Sequence, residues 1–186
     1  MKYLILLAGC GLGDGSCIEE VILTYAVLDR YGCDYTPAAE DLSVRSVNHL
    51  TEQIAEQRSI LSEAARIGRG RIKDIRKIDF DAYDALIIPG GIGLLNNYRD
   101  SNAIEACITH FISRKKPIAT MCAGIDFMRR FLEGNLLDRE AKELPAEKFC
   151  FDADNNIYYT PAFRKTGNCY TALLGIDSMI CALRQA

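Results

Sequence analysis

Apolar residues fall along this chain in short unbroken blocks. Tyr3 to Leu7 and Ala85 to Ile88 are apolar throughout, and Pro117 to Met121 is nearly so. Blocks of this length, bounded by glycine or proline, predict parallel strands covered on both faces. Between them the spacing changes to that of a helix. Ile18, Val21, Ile22, Tyr25 and Leu28 form one stripe, opened by the capping pattern Ser16-Cys17-Ile18-Glu19 and closed by Gly32. Residues 33–38 predict a second strand, closed by Pro37. The segment 47–67 reads as mostly helical on Ile54, Ile60, Leu61 and Ala64 to Ile67. A helix over 101–113 places Ile104, Cys107, Ile108 and Phe111 on one face, and another runs from Gly124 to about 133. Short strands near 148–152 and 156–160 flank a turn, and a helix over roughly 170–183 closes the chain. Strands alternating with helices predict an α/β fold with a mainly parallel central sheet and helices on both faces. With no repeat, linker or low-complexity stretch, the expectation is one domain over 1–186.

Composition narrows the function classes. The 186 residues carry 22 basic and 25 acidic side chains, a net charge of −3, and the basic ones are scattered among acids. Nucleic acid, which asks for a basic stripe, is disfavoured. Leu7-Ala8-Gly9-Cys10 has the letters of a lipoprotein cleavage box, but the apolar run before it is too short for a signal peptide and reads better as a first strand. No later run approaches a membrane span. Eight cysteines include no C-x-x-C pair, so no zinc or dithiol signature is present. They read as reduced, mostly buried thiols, and the expected compartment is the cytoplasm.

In an open parallel sheet ligands bind beyond the carboxyl ends of the strands. Three distinctive loops fall there: Gly9 to Gly15, Pro89 to Gly91, and Met121 to Gly124. Cys122 stands where a buried strand turns straight into a helix, followed by small Ala123 and Gly124, the layout of a nucleophile elbow. A thiol at a helix N-terminus is favoured as thiolate. The alternative is a structural cysteine at a strand end. Backbone N–H groups at Gly90 and Gly91 are placed to hold an oxyanion, or simply to make a turn. Glu19 is expected to cap the first helix at Ser16, leaving Glu20, about 100° around that helix, to lean toward the loops. A buried carboxyl there can pass protons to and from a thiol, whereas a solvated one does nothing. Of the two histidines, His110 belongs at the opposite end of the sheet; His49 could reach the site through the loop after strand two, though the expectation is that it does not. A Cys-His hydrolase or amidotransferase triad is therefore disfavoured. The glycine loop matches neither the dinucleotide nor the phosphate-loop fingerprint and reads as the wall of a small pocket that includes Gly11. No clustered ligands point to a metal.

Ala119 to Gly124, with Pro89-Gly90-Gly91 and the acidic first turn after strand one, resembles the ThiJ/PfpI superfamily, whose fold is class I glutamine-amidotransferase-like and flavodoxin-like. Gly9 to Ser16, Val47 to Thr51, Glu63 to Ile67, Leu86 to Gly91, Thr160 to Ala162 and Gly175 to Asp177 resemble its ElbB-like branch. The resemblance implies a Cys122 nucleophile hydrogen-bonded to Glu20, an oxyanion site at Gly91 and Ala123, a homodimer and no required cofactor. Where ElbB-like proteins carry an acid and then Ile-His-Glu, this chain reads Cys17-Ile18-Glu19-Glu20. The function expected is glyoxalase-type: 2-oxoaldehydes such as glyoxal and methylglyoxal converted to 2-hydroxy acids without a cofactor. The alternative is a redox-sensing or ligand-binding protein built on the same cysteine.

Overall fold

The structure is a computed structural model and describes residues 1–132 and 138–186. In chain order its elements are β1 (Lys2–Leu6), β2 (Cys10–Gly11), β3 (Ser16–Cys17), α1 (Ile18–Arg30), β4 (Asp34–Ala39), β5 (Ser43–Asn48) and β6 (Gln53–Ser59). There follow α2 (Ile60–Ile67), β7 (Lys73–Asp74), β8 (Ala85–Ile88), α3 (Gly93–Asn97), α4 (Asn102–Ser113) and β9 (Ile118–Met121). The chain closes with α5 (Gly124–Met128), α6 (Asp138–Glu143), β10 (Cys150–Asp152), β11 (Ile157–Thr160) and α7 (Cys169–Leu183).

Seven strands form one sheet in the order β10-β11-β9-β8-β1-β4-β7. Every pairing is parallel except β10 with β11, a hairpin over the expected turn at 152–156. The continuous apolar runs become the central strands because both faces are covered: Leu4, Ile5, Leu86, Ile87 and Ala119 are fully buried. Side chains alternate across a strand. On β9, Met121 meets Thr24 of α1 on one face, while Thr120 packs against Gly124 of α5 on the other. Helices therefore cover both faces, and α1 packs beside α7.

Three local expectations are corrected. Residues 47–59 are not helical: β5 and β6 form an antiparallel hairpin outside the main sheet, and only Ile60–Ile67 is helix. Most of β6 is exposed, so no buried face imposed an alternating pattern on its sequence. The second strand continues past Pro37 to Ala39, because β7 pairs only with Ala38 and Ala39 and no outer strand stands opposite the proline. The helix after the elbow stops at Met128; residue 133, its expected end, lies outside the described residues. On α1, Val21, Tyr25 and Leu28 are buried as expected, but Ile18 and Ile22 are exposed. Gly32, at φ +63°, receives the predicted left-handed turn, and the Cys33 N–H reaches the Leu28 carbonyl at 3.0 Å.

Candidate active site

The expected capping box does not form. The Ser16 hydroxyl accepts the Ala8 N–H at 2.9 Å, and α1 begins two residues later at Ile18 without a side-chain cap. Ser16 thus ties the glycine loop to the end of β1. Glu19 turns instead to Cys17, accepting its thiol at 3.3 Å. Glu20 occupies the last position of the first turn and points down onto the sheet, wholly buried. Its Oε1 accepts the Phe163 N–H at 3.4 Å. Its Oε2 lies against Gly90 and Cys122, with no full hydrogen bond from a described residue. Burial pushes this carboxyl up to about 7, against the opposing pull of the Phe163 and Gly90 N–H groups and the Cys122 thiol.

Cys122 sits between β9 and α5 at φ +50°, a left-handed conformation that costs a non-glycine residue about 1–3 kcal/mol. Its N–H donates to the Thr160 carbonyl at 3.2 Å, which fixes the turn. A side chain at Gly124 would strike the Thr120 hydroxyl and come within 3.1 Å of the Ile88 carbonyl, so the elbow needs glycine there. Gly124 therefore has the role read for it from sequence. The Cys122 charge state does not match its reading. Burial, and then the Glu20 carboxylate, push the Cys122 thiol up to about 12; the Ala123 N–H and the Arg164 guanidinium only partly oppose them. Arg164 is itself paired with Asp126 of α5. The five-residue α5 does not offset these effects, and the thiol form is favoured.

The loop residues converge as expected, with changed duties. The Gly90 N–H faces the Glu20 carboxyl rather than open space, while its carbonyl accepts the Cys17 N–H at 2.9 Å. Gly91, at φ +118°, packs so closely that a Cβ would lie 2.6 Å from the Cys17 nitrogen. Its own N–H has no hydrogen-bond partner among the described residues. The Ala123 N–H faces the Cys122 sulfur. Gly11 lines the adjoining cleft.

That cleft, about 510 Å³, brings together Cys122, Cys10, Gly11, Cys17, His49 and Arg66. Four of these were missed: Cys10, Cys17, His49 and Arg66. Cys17 is buried, and both its burial and the neighbouring Glu20 push its thiol upward. His49 does reach the site, carried there by the hairpin that the sequence reading had made helical. Its Nε2 accepts the Leu12 N–H at 3.0 Å and lies 3.6 Å from Asp14 Oδ1. The Val47 to Thr51 block was the signal that could have found it. His110, as expected, is elsewhere, paired with Asp81 at 3.5 Å. All eight cysteines are free thiols; of the seven other than Cys122, Cys17 and Cys107 are buried, Cys169 is exposed and the rest are half-buried, fewer buried than expected. Among the described residues no group of three or more His, Cys, Asp or Glu side chains is arranged to hold a metal. No described helix is long and apolar enough to cross a membrane.

The DJ-1/PfpI family profile matches residues 12–132, which take in the end of the glycine loop, Glu20, Gly90, Gly91 and the elbow. The chain belongs to the DJ-1/PfpI family. A protein from Ehrlichia chaffeensis, described as an isoprenoid biosynthesis protein with amidotransferase-like domain, superposes with a TM-score of 0.88 at 29% identity, over 100% of this chain and 99% of that one. Drosophila melanogaster DJ-1beta, at 16% identity and a TM-score of 0.57 over 99% and 89% of the two chains, shares the fold. The ThiJ/PfpI resemblance and the flavodoxin-like architecture both stand. Glutamine amidotransferase-like class 1 domain-containing protein 3, mitochondrial, from Homo sapiens is 29% identical over 72% of this chain and 54% of its own length. The ES1 protein homolog, mitochondrial, of Rattus norvegicus is 28% identical over 72% and 55%. The chain spans about half the length of these curated relatives. Their names are those of mitochondrial proteins, and this overturns the expectation of a cytoplasmic one.

Proposed function

We propose that this protein is a cysteine-dependent, glyoxalase-type enzyme that converts small 2-oxoaldehydes such as glyoxal and methylglyoxal to 2-hydroxy acids. The observation that carries the reading is the buried Glu20 carboxyl, poised at about 7, lying against a Cys122 thiol that cannot ionise unaided. Near neutral pH a large fraction of Glu20 is carboxylate and able to act as a base. It takes the thiol proton as sulfur adds to the aldehyde carbon and passes it to the new alkoxide oxygen, giving a hemithioacetal and restoring the carboxylate. The carboxylate then removes hydrogen from that carbon and the resulting acid returns a proton to the neighbouring carbon. The electron pair of the broken C–H bond passes through an enediol, so one carbon is oxidised to a thioester as the other is reduced to an alcohol. Water cleaves the thioester, releasing the 2-hydroxy acid and restoring the thiol. No outside oxidant or reductant enters, and these steps ask for no cofactor.

The Gly91 and Ala123 N–H groups are the proposed donors to the developing oxyanion, and Gly90 and Gly11 line the bound carbonyl compound. A homodimer is the assembly proposed, on the family resemblance. The test is 2-hydroxy acid formation from methylglyoxal without glutathione: turnover by wild type and its loss in Cys122→Ala support the reading, and equal turnover in both overturns it.

A second reading rests on the same pair. A partly accessible thiol beside a carboxyl that is readily protonated can be oxidised by peroxide to a sulfinate, which the Glu20 proton would stabilise. Stoichiometric oxygen addition at Cys122, without turnover of oxoaldehydes, favours that reading.

A further inference from the structure

Neither Asp14 nor His49 takes part in the steps above, yet both line the cleft and lie within ion-pair distance of each other. Asp14 is held at one end. Its Oδ2 accepts the Val47 N–H at 2.7 Å, whereas its Oδ1 is buried with no hydrogen-bond partner among the described residues. His49 Nε2 lies 3.6 Å from that oxygen, but it accepts two backbone N–H groups, Leu12 at 3.0 Å and Gly13 at 3.4 Å. A nitrogen that accepts presents a lone pair, so the neutral ring carries its hydrogen on Nδ1. Protonation places a hydrogen on Nε2. The nitrogen can then no longer accept from Leu12 and Gly13, and the nearby acceptor without a donor is Asp14 Oδ1. One atom thus has two alternative sets of partners, and charge selects between them.

The loop it holds reaches the reaction centre. The Leu12 carbonyl accepts the N–H groups of Ile92 at 2.8 Å and Gly93 at 3.3 Å, immediately after Gly90 and Gly91. Gly11 allows the ring to lie directly on the loop, since a Cβ there would run into Asp14 Oδ1 and come within 2.9 Å of the ring. The other charged or titratable groups facing the cleft are Cys10 of β2, Cys17 of β3, Glu19 of α1, Arg58 of β6, Glu63 and Arg66 of α2, and Cys122 at the elbow. Glu63 bridges Arg58 at 3.3 Å and Arg66 at 3.1 Å, so these three are paired among themselves. Asp14 is the acid within ion-pair distance of the ring.

We propose that His49 is a positioning residue whose protonation state sets the glycine loop: neutral, it ties Leu12 and Gly13 to the β5–β6 hairpin; protonated, it turns to Asp14 and releases them. The consequence for rate rests on the function proposed above; the consequence for structure does not. The experiment is nitrogen-15 NMR of the full chain between about pH 8 and about pH 5, the interval over which histidine charge changes. At the alkaline end His49 is expected as the Nδ1–H tautomer. On acidification the Leu12 and Gly13 amide resonances are expected to shift with the ring's own midpoint, while the Val47 amide stays. In His49→Gln, whose amide oxygen can accept both N–H groups and does not titrate, the two amides are expected to hold their alkaline positions. The Nε2–H tautomer at high pH, or loop amides that do not follow the ring, would overturn the proposal. In turnover, two protons then shut down wild type, on Glu20 and His49, but only one shuts down His49→Gln. The acid limb falls about 100-fold per pH unit in the first and about 10-fold in the second. Equal slopes with the NMR result intact would separate the loop from catalysis and overturn the positioning role. Absence of turnover in wild type would overturn the enzyme reading while leaving the NMR test standing.

Discussion

Glu20 Oε2 and Cys122 Cβ crowd the same side of Gly90: a methyl group on that glycine would sit 2.5 Å from the oxygen and 2.7 Å from the carbon. Carboxyl and thiol are therefore brought together across a surface that only hydrogen can cover. Gly90→Ala is expected to force the pair apart and to cost about 1–3 kcal/mol of stability, the usual range for overpacking. Urea denaturation checks the stability, and alkylation of Cys122 followed by peptide mapping checks the site. A substitution neutral in both would show that this contact does not matter.

Glu20→Gln separates acidity from turnover. Burial is the larger cause of the high Cys122 pKa, and repulsion from the Glu20 carboxylate is the next. Removing that charge is expected to lower the thiol pKa below about 12, though not to the ordinary value, because burial remains. The alkylation rate of Cys122 against pH should shift to lower pH, while 2-hydroxy acid formation is lost for want of a base. An unchanged alkylation profile would mean that the carboxyl does not act on the sulfur.

The same carboxyl imposes a pH dependence on stability. Its pKa rises from 4.5 to about 7 on folding, so between those values the native state holds a proton that the unfolded chain has released. This group therefore costs nothing at low pH. Its cost grows as pH rises through the window and is complete above about 7, on the order of 3 kcal/mol. The stability of wild type minus that of Glu20→Gln is expected to fall by about that much across the window, measured by denaturant unfolding with the thiols reduced. A difference that rose with pH would reverse the assignment.

The elbow stores strain. At φ +50° Cys122 carries a conformational cost that glycine would not. Cys122→Gly is expected to match or exceed Cys122→Ala in thermal stability, by up to about 1 kcal/mol, although it buries less. Calorimetry of the two variants decides. A clearly less stable glycine variant would place the cost of the turn elsewhere.

Much of this was legible in the sequence because the physics behind it is local. Ala85–Ile88 is apolar because both faces of its strand are covered, and the block reads the same from sequence and from structure. Cys122-Ala123-Gly124 was legible because a tight strand-to-helix turn tolerates few side chains. The capping box failed because the Ser16 hydroxyl found a partner in Ala8, eight residues away, which no local pattern contains. The hairpin over 43–59 was missed because an exposed sheet need not alternate, and His49 was lost with it. The acidity of Cys122 was misjudged for a similar reason. A short helix offers a small fixed field, whereas burial and the Glu20 charge arise only once distant segments have packed.

The central claim, that Cys122 bonds to the carbonyl carbon and Glu20 moves the proton, is tested most directly by carbon-13 NMR of labelled methylglyoxal with wild type, Glu20→Gln and Cys122→Ala. The account expects lactate from wild type, and neither lactate nor a hemithioacetal carbon at neutral pH from Glu20→Gln or from Cys122→Ala. Lactate formed by Cys122→Ala, or a hemithioacetal resonance that survives loss of that thiol, would contradict it.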